Sequence, residues 1–195
     1  MTALAPHAGA LFGVASTPWE EYHARVPEDL LVAFCPRSRA SCIHDLMLRE
    51  AARYTVLAEG VRLFERNLMK GIIIDGRIAI RFKKLDEEGF SRGHYTKQVE
   101  EFRSQCQLDG IDAAHHLELG YVLNHNETEI SEVRLVCPSG RGVAWWARLE
   151  DEGMQPAVFD LLPVDPAPHS GDGGAIITPK DAGVVVPIRR KTDEG

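Results

Sequence analysis

Apolar and polar positions alternate most clearly between residues 70 and 85, where two β-branched runs flank Asp75-Gly76. A two-residue Asp-Gly connection is the strongest short-range signal for a β-hairpin with a type I′ turn. Such a loop fixes the register and places Ile73 opposite Ile78. Because side chains alternate between the two faces of a strand, one face is predicted to be apolar and the other cationic. The predicted apolar face comprises Met69, Ile73, Ile78, Ile80 and Phe82. The predicted cationic face comprises Lys70, Arg77, Arg81 and Lys83.

Apolar residues at helical spacing predict helices on both sides of this hairpin. Thr17 can cap a helix, with Pro18 at its first position and Glu20 completing a capping box. A second helix is predicted over residues 41–58, and a third from a Thr96 cap to about Leu108. Residues 61–66 alternate and predict a strand before the hairpin.

Strict alternation returns in residues 117–123, 133–137 and 143–149, separated by short turn segments. This pattern predicts an antiparallel three-stranded meander. The predicted fold class is therefore α+β: N-terminal helices, a central β-hairpin, a helix and the meander, forming one sheet packed by helices.

Changes in composition divide the chain into three parts. Residues 1–16 are rich in Ala and Gly and are predicted to form a loose N-terminal arm. Residues 17–162 are predicted to form a single α+β domain. Residues 163–195 are rich in Pro and Gly and predict a linker followed by a largely disordered tail.

Composition argues against several classes of protein. The net charge of -7 excludes a generally basic nucleic-acid coat, although a local basic face remains compatible with it. Four cysteines without a CxxC pair predict reduced thiols and no metal site.

The first residues lack the Lys or Arg of a secretory signal, and no apolar run approaches the ~20 residues of a membrane span. We therefore expect a cytoplasmic protein with no membrane partner. No Gly-rich phosphate loop, GxSxG or HExxH motif is present, and no cofactor is assigned.

The candidate site is the cationic face of the hairpin together with the loop that follows it. A phosphate can bind between strand cations and the N-terminus of the next helix, where free N–H groups and a partial positive charge meet. The alternative is that these cations face water and are neutralised by Glu87, Glu88, Glu100 and Glu101. The candidate nucleic-acid-binding residues are Lys70, Arg77, Arg81, Lys83, Lys84, Ser91, Arg92 and Lys97.

The candidate catalytic residues are His94, Lys83 and Arg81. In a metal-free ribonuclease, His94 would act as general acid or base while the two cations stabilise the pentavalent phosphate. A second proton carrier is not assigned. The alternative is that His94 is an ordinary polar surface residue.

The order helix, strand, hairpin, helix, strand resembles the core of PD-(D/E)xK nucleases, with Glu50, Asp75 and Arg81-Phe82-Lys83 in roughly the family's order. The chain departs from that pattern where Arg81 replaces a metal-binding carboxylate, since a guanidinium cannot ligate a hard cation. Asp75 also lies closer to Lys83 than the family permits. The resemblance implies a degenerate relative that binds nucleic acid without cutting it.

A further resemblance rests on Arg81 to Asp86, Ser91-Arg92, Leu119 to Leu123 and Thr128 to Ile130. These segments resemble an uncharacterised group of bacterial proteins encoded beside helix-turn-helix or zinc-peptidase-like regulators in toxin–antitoxin and phage-defence loci. The resemblance implies a toxin-like cytoplasmic effector that engages RNA or DNA through the basic hairpin face. Whether it is an enzyme stays open, and a catalytic version would be a nuclease-like phosphodiesterase. The implied protein partner is a regulator or antitoxin.

A second hypothesis is a non-enzymatic protein-interaction module that partners an antitoxin or regulator. The hairpin edge, one indole of Trp145-Trp146 or the C-terminal tail would then add to a partner's surface.

Overall fold

The computed structural model of the chain describes residues 4–91 and 96–151, together with the backbone of residues 161–163. Six long strands and a short seventh strand form one mixed sheet, with helices packed on both of its faces. The α+β prediction is confirmed, and the sheet is larger than the hairpin and meander alone.

Along the described chain, three α-helices are followed by three strands, a fourth helix and four further strands. A short 3-10 turn over Ala5–His7 precedes the first helix. The α-helices are α1 (Ala8–Arg25), α2 (Glu28–Ala33), α3 (Pro36–Leu57) and α4 (Lys97–Arg103). The strands are β1 (Val61–Arg66), β2 (Met69–Ile74), β3 (Ile78–Leu85), β4 (His115–Leu123), β5 (Ile130–Ser139), β6 (Gly142–Leu149) and β7 (Leu161–Pro163).

The strands lie in the sheet in their order along the chain. Neighbours are antiparallel except β3 and β4, which are parallel. A parallel pair needs a long crossover connection, and α4 lies in that connection. The predicted meander corresponds to β4, β5 and β6. The Thr96 cap is also confirmed, because its side chain accepts a hydrogen bond from the Val99 N–H.

Helices cover the two faces of the sheet unequally. On one face Leu11 of α1 and Met47 of α3 are buried in the same cluster as Tyr121 of β4. On the opposite face Phe102 of α4 packs on Ile73. Central strands covered on both sides are expected to be almost continuously apolar, as β2 is. None of the helices in the described part of the chain combines the length and apolar character that crossing a membrane requires.

The expected loose arm over residues 1–16 is wrong from Ala5 onward. The chain is helical there, and α1 passes through Pro18 instead of starting at Thr17. Apolar residues at helical spacing, including Ala8, Leu11 and Ala15, are buried against the sheet. Alanine has the highest helix propensity, so an Ala-rich stretch becomes helical once its apolar stripe has a surface to cover. The predicted tail beyond residue 163 lies outside the described residues.

The hairpin turn is confirmed but its register is wrong by one residue. Asp75 and Gly76 have φ values of 51° and 64°, and the Arg77 N–H donates to the Ile74 carbonyl at 2.9 Å, as a type I′ turn requires. The ladder nevertheless pairs Ile74 with Ile78 and leaves Arg77 unpaired with β2. The Arg77 carbonyl instead accepts a hydrogen bond from the His115 N–H at 3.0 Å.

Because the register is shifted by one residue, the predicted apolar face of the hairpin is divided between the two sides of the sheet. Met69 and Ile73 pack on the α4 side of the sheet, whereas Ile78, Ile80 and Phe82 pack on the α1 and α3 side. The predicted cationic row does not form one open face, because α4 covers the side of the sheet on which Arg81 lies.

An ion cluster is buried beneath α4. Glu118 of β4 lies opposite Arg81 of β3 and accepts hydrogen bonds from its Nε, at 3.0 Å, and from its Nη2. Arg103 of α4 donates from Nη1 to both Glu118 carboxylate oxygens at 3.0 Å. Its remaining donors bond the carbonyls of Gly140 and Gly142 at 2.9 and 3.0 Å. One carboxylate therefore connects the parallel strands to the crossover helix and to the turn between β5 and β6.

We expect Glu118→Gln to lower the free energy of unfolding by about 3–5 kcal/mol, because it leaves two buried guanidinium groups without a charged partner. Glu65→Gln is the matched control, since the Glu65–Lys70 pair is exposed and is worth less than about 1 kcal/mol. Urea unfolding of the two variants measures both values. Equal losses in the two variants would contradict a structural role for the cluster.

A cleft at the carboxyl ends of β3 and β4 as the candidate functional site

The carboxyl ends of the parallel strands β3 and β4 open into a cleft of about 990 Å³. The N-terminal half of α3 forms the facing wall, with Arg37 and His44 lining it. Lys83 and Lys84 come from the end of β3. Ligands of sheets with parallel strands bind beyond the carboxyl ends of those strands, so this cleft is the candidate site that the topology favours.

Lys83 is the most unusual side chain of the cleft. It is partly buried, and it makes no ion pair with any of the residues that the structure describes. Burial lowers the pKa of Lys83, and the neighbouring Arg81 guanidinium lowers it further. Glu118 acts in the opposite direction, but both of its oxygens already bond arginines. Among the residues with described positions, Lys83 is therefore a partly buried cation without a carboxylate partner of its own.

His44 of α3 lines the same cleft. Burial lowers the pKa of His44, and the charge of Lys83 lowers it further. Asp45 acts against this trend, with its Oδ1 3.7 Å from the His44 Nδ1. An imidazole whose pKa lies below its usual value is neutral near pH 7 and can accept a proton.

Lys84 and Arg39 both pair with Glu127. The Lys84 Nζ lies 2.5 Å from the Glu127 Oε1, and Arg39 bonds the Oε2. The hydrogen bond from Lys84 is the main cause of the lowered pKa of Glu127. These two cations thus hold the turn after β4 against α3 and β3, and only part of their charge is offered to a ligand.

Carboxylates form the rim of the cleft on the side of the turn that follows β3. Asp86, Glu87 and Glu88 line the cleft there. The Asp86 Oδ1 accepts a hydrogen bond from the Phe90 N–H at 2.8 Å, which fixes the turn. The cleft therefore has a cationic wall and an acidic rim, and an anion is favoured only on the side of Lys83.

The structure separates most of the predicted site residues. Arg81 is 2% exposed, so its assignment to an open nucleic-acid-binding face is wrong. Arg77 is exposed at the opposite end of β3 from the cleft, and Lys70 pairs with Glu65 at 3.0 Å. Of the predicted residues that the structure describes, only Lys83 and Lys84 line the cleft.

The remaining predicted residues lie after β3. Ser91 forms an isolated bridge with Leu85. Lys97 is largely exposed, with its Nζ 3.9 Å from Glu101. Arg92 and His94 lie outside the described residues, so their assignments stay predictions. No local motif in the sequence marks His44, because it comes within electrostatic range of Lys83 only in the tertiary structure.

Comparison with protein-family models, with curated proteins and with solved structures finds no match for this chain. In the part of the chain that the structure describes, no group of three or more His, Cys, Asp or Glu side chains is arranged to hold a metal ion.

We expect Lys83→Met to raise the pKa of His44, because the substitution removes a nearby positive charge. Asp45→Asn is expected to lower the same pKa, since it removes the carboxylate that stabilises the imidazolium. Titration of the His44 ring protons by NMR measures both shifts, with Lys97→Met as the unchanged control. Shifts of the same sign in the two cleft variants would contradict the electrostatic arrangement described here.

Proposed function

We propose that the protein is a toxin-like effector of the bacterial cytoplasm that engages nucleic acid, and that a phosphate of the nucleic acid binds in the cleft beside Lys83. The observation that carries this proposal is that Lys83, partly buried in the cleft, has no ion-pair partner in the described part of the chain. Its partner proteins would be a regulator or antitoxin that restrains it, as the resemblance to partners of such regulators suggests.

The buried cluster beneath Lys83 supports an anionic ligand. Arg81 and Arg103 contribute two positive charges and Glu118 contributes one negative charge, so the cluster adds a net positive potential under Lys83. A charge that is partly removed from water is stabilised by an opposite charge and by hydrogen bonds. A phosphate oxygen bonded to the Lys83 ammonium would supply both.

The start of α3 adds to this attraction. Its capping residue Cys35 makes no side-chain bond to the first-turn N–H groups, and Pro36 and Arg37 line the cleft. Unpaired N–H groups at a helix start favour an anion. The acidic rim at Asp86 to Glu88 opposes a phosphate chain on its side, so we place the nucleic acid along α3.

Cleavage of a bound RNA strand would use His44 as the proton acceptor. Its neutral imidazole would take the proton of the 2′-hydroxyl as that oxygen bonds to the phosphorus, and Lys83 would stabilise the charge that develops on the phosphate. The bond from phosphorus to the 5′-oxygen would break, and the leaving oxygen would take a proton from water. In this form of the proposal His44 takes the role that the sequence assigned to His94.

A protein-interaction module is the second candidate, and a specific observation favours it. Apolar side chains are exposed at and beside β1, a strand at the edge of the sheet: Val56, Leu57, Leu63 and Leu68. Exposed apolar side chains beside a sheet edge are typical of surfaces that bind another chain.

Binding of single-stranded RNA and DNA tests the first candidate. We expect affinity to fall steeply as salt rises, because phosphate contacts release counterions. Lys83→Ala is expected to weaken binding roughly tenfold or more, since a charge-assisted hydrogen bond contributes about 1.5–3 kcal/mol. It should also reduce the salt slope by about one. Fluorescence anisotropy across a salt series measures both quantities.

Lys97→Ala is the matched control, because Lys97 lies at the surface away from the cleft lining. Binding should strengthen as pH falls through the lowered pKa of His44, since protonation adds a positive charge, and His44→Gln should remove that dependence. Salt-independent binding, or equal losses in the Lys83 and Lys97 variants, would contradict a phosphate site in the cleft.

Growth of a bacterial host on induced expression tests the effector role. We expect arrest by the intact chain and relief by Lys83→Ala, with RNA and DNA integrity in the arrested cells identifying the target. Arg81→Ala is unsuitable, because loss of that buried group would unfold the protein. If the intact chain is harmless, or the Lys83 variant arrests growth equally well, the interaction module replaces the effector.

A further inference from the structure

The outer edge of β1 has no strand beside it in the described part of the chain. The strand is six residues long, contains no proline, and pairs with β2 without a break in register. Leu63 at its centre is 47% exposed, and Leu68 in the following turn is 96% exposed. Natural sheet edges are normally shielded by charged side chains, proline, bulges or a covering loop. β1 carries charges at Arg62, Glu65 and Arg66, but the residue at its centre is an exposed leucine.

The hydrogen-bond phase of β1 shows which backbone groups face outward. The Asp75 N–H donates to the Gly60 carbonyl at 2.8 Å, and these two residues continue the register of Val61 with Ile74. Directly opposite residues of an antiparallel ladder alternate between bonded and non-bonded pairs. Every second residue from Gly60 therefore bonds to β2. Val61, Leu63 and Glu65 are left with their N–H and C=O groups directed outward.

We propose that this edge pairs with the same edge of a second copy of the chain, antiparallel, with Leu63 opposite Leu63 of the second copy. This register places Val61 of each copy opposite Glu65 of the other. All outward backbone groups of the three residues are then satisfied on both strands. The contact is isologous, as in most homodimers, and joins the two sheets into one.

The exposed side chains favour this register over its neighbours. It brings Leu68 of one copy opposite position 58 of the other, beside the exposed Val56 and Leu57 at the end of α3. Centring the pair on Glu65 would set like charges opposite each other, which is destabilising. Centring it on Val61 would place Leu63 opposite Glu59.

The near-symmetric spacing of exposed apolar residues about Leu63 is what identifies a second copy as the partner. An unrelated strand could pair with β1 by contacting Leu63 alone. A two-fold axis through Leu63 would bring the exposed apolar residues at both ends of the edge into contact as well. Leu68 also lines the cleft described above. The second copy would therefore contribute the end of its α3 to the mouth of that cleft.

The molar mass of the intact chain in solution tests the proposal. Sedimentation equilibrium is expected to give a dimer. Leu63→Pro, which removes an outward N–H and leaves the β2 hydrogen bonds intact, is expected to give a monomer with the same circular dichroism spectrum. Leu63→Lys provides a second disruption without a proline. Val32→Lys, at a more exposed apolar position in α2, is the control away from the β1 edge and should stay dimeric.

Disulfide cross-linking tests the register. In a background with Cys35→Ser and Cys106→Ser, which removes the exposed thiols among the described residues, Leu63→Cys should cross-link under mild oxidation. The paired Cα atoms would lie about 5.5 Å apart, within the range that a disulfide spans. Leu68→Cys should cross-link with Leu57→Cys when the two variants are mixed.

A monomeric mass at every concentration overturns the proposal, and so does a dimer that survives both Leu63→Pro and Leu63→Lys. Cross-linking of Leu57→Cys and Leu68→Cys without cross-linking of Leu63→Cys would place the axis elsewhere and overturn the register. Each of these outcomes is independent of nucleic-acid binding.

Discussion

The carboxylate of Glu118, held between Arg81 and Arg103, is the interaction on which the other features depend. It lies at the junction of β3, β4 and α4, the three elements of the crossover connection. The strands on either side of this point pair antiparallel, whereas β3 and β4 are parallel and are joined by the crossover that contains α4. The ion cluster holds α4 against these two strands. Because removal of one partner would leave buried charges without compensation, the cluster constrains the register of the parallel pair and the position of α4 together.

The cleft is a direct consequence of that arrangement. The parallel strands β3 and β4 end at the same edge of the sheet and leave a space beyond their last residues. The N-terminal half of α3 forms one wall of that space. The same cluster contributes to the electrostatics of the cleft: burial is the main cause of the lowered pKa of Lys83, and the net positive charge of the cluster beneath it lowers that pKa further. In a nuclease core of this order a carboxylate at the position of Arg81 would bind a metal ion. Here the guanidinium bonds Glu118, and the chemistry that we propose relies on cations instead of metal.

The cleft and the free edge of β1 are neighbouring surfaces that share Leu68. A chain that binds a ligand in the first and a second copy at the second would couple the two events, because the partner's α3 would lie at the mouth of the cleft. The proposed phosphate site and the proposed dimer contact therefore lie on adjacent parts of one molecule. A regulator that covered the β1 edge would reach the same mouth.

The sequence alone determined the features that depend on neighbouring residues. The Asp75-Gly76 turn, the Thr96 cap, α3 from residue 41 onward and the three meander strands follow from backbone preferences and from the period of the apolar pattern. The first turn of α3, which begins at Pro36, was not predicted. Tertiary structure decided the features that depend on contacts between residues far apart in the sequence. The Ala-rich start became helical because the sheet offered its apolar stripe a surface. The hairpin register moved by one because the Arg77 carbonyl bonds β4. Arg81 was buried because α4 crosses over it. Local patterns specify elements, whereas the pairing of charges across the fold is specified only when the whole chain has packed.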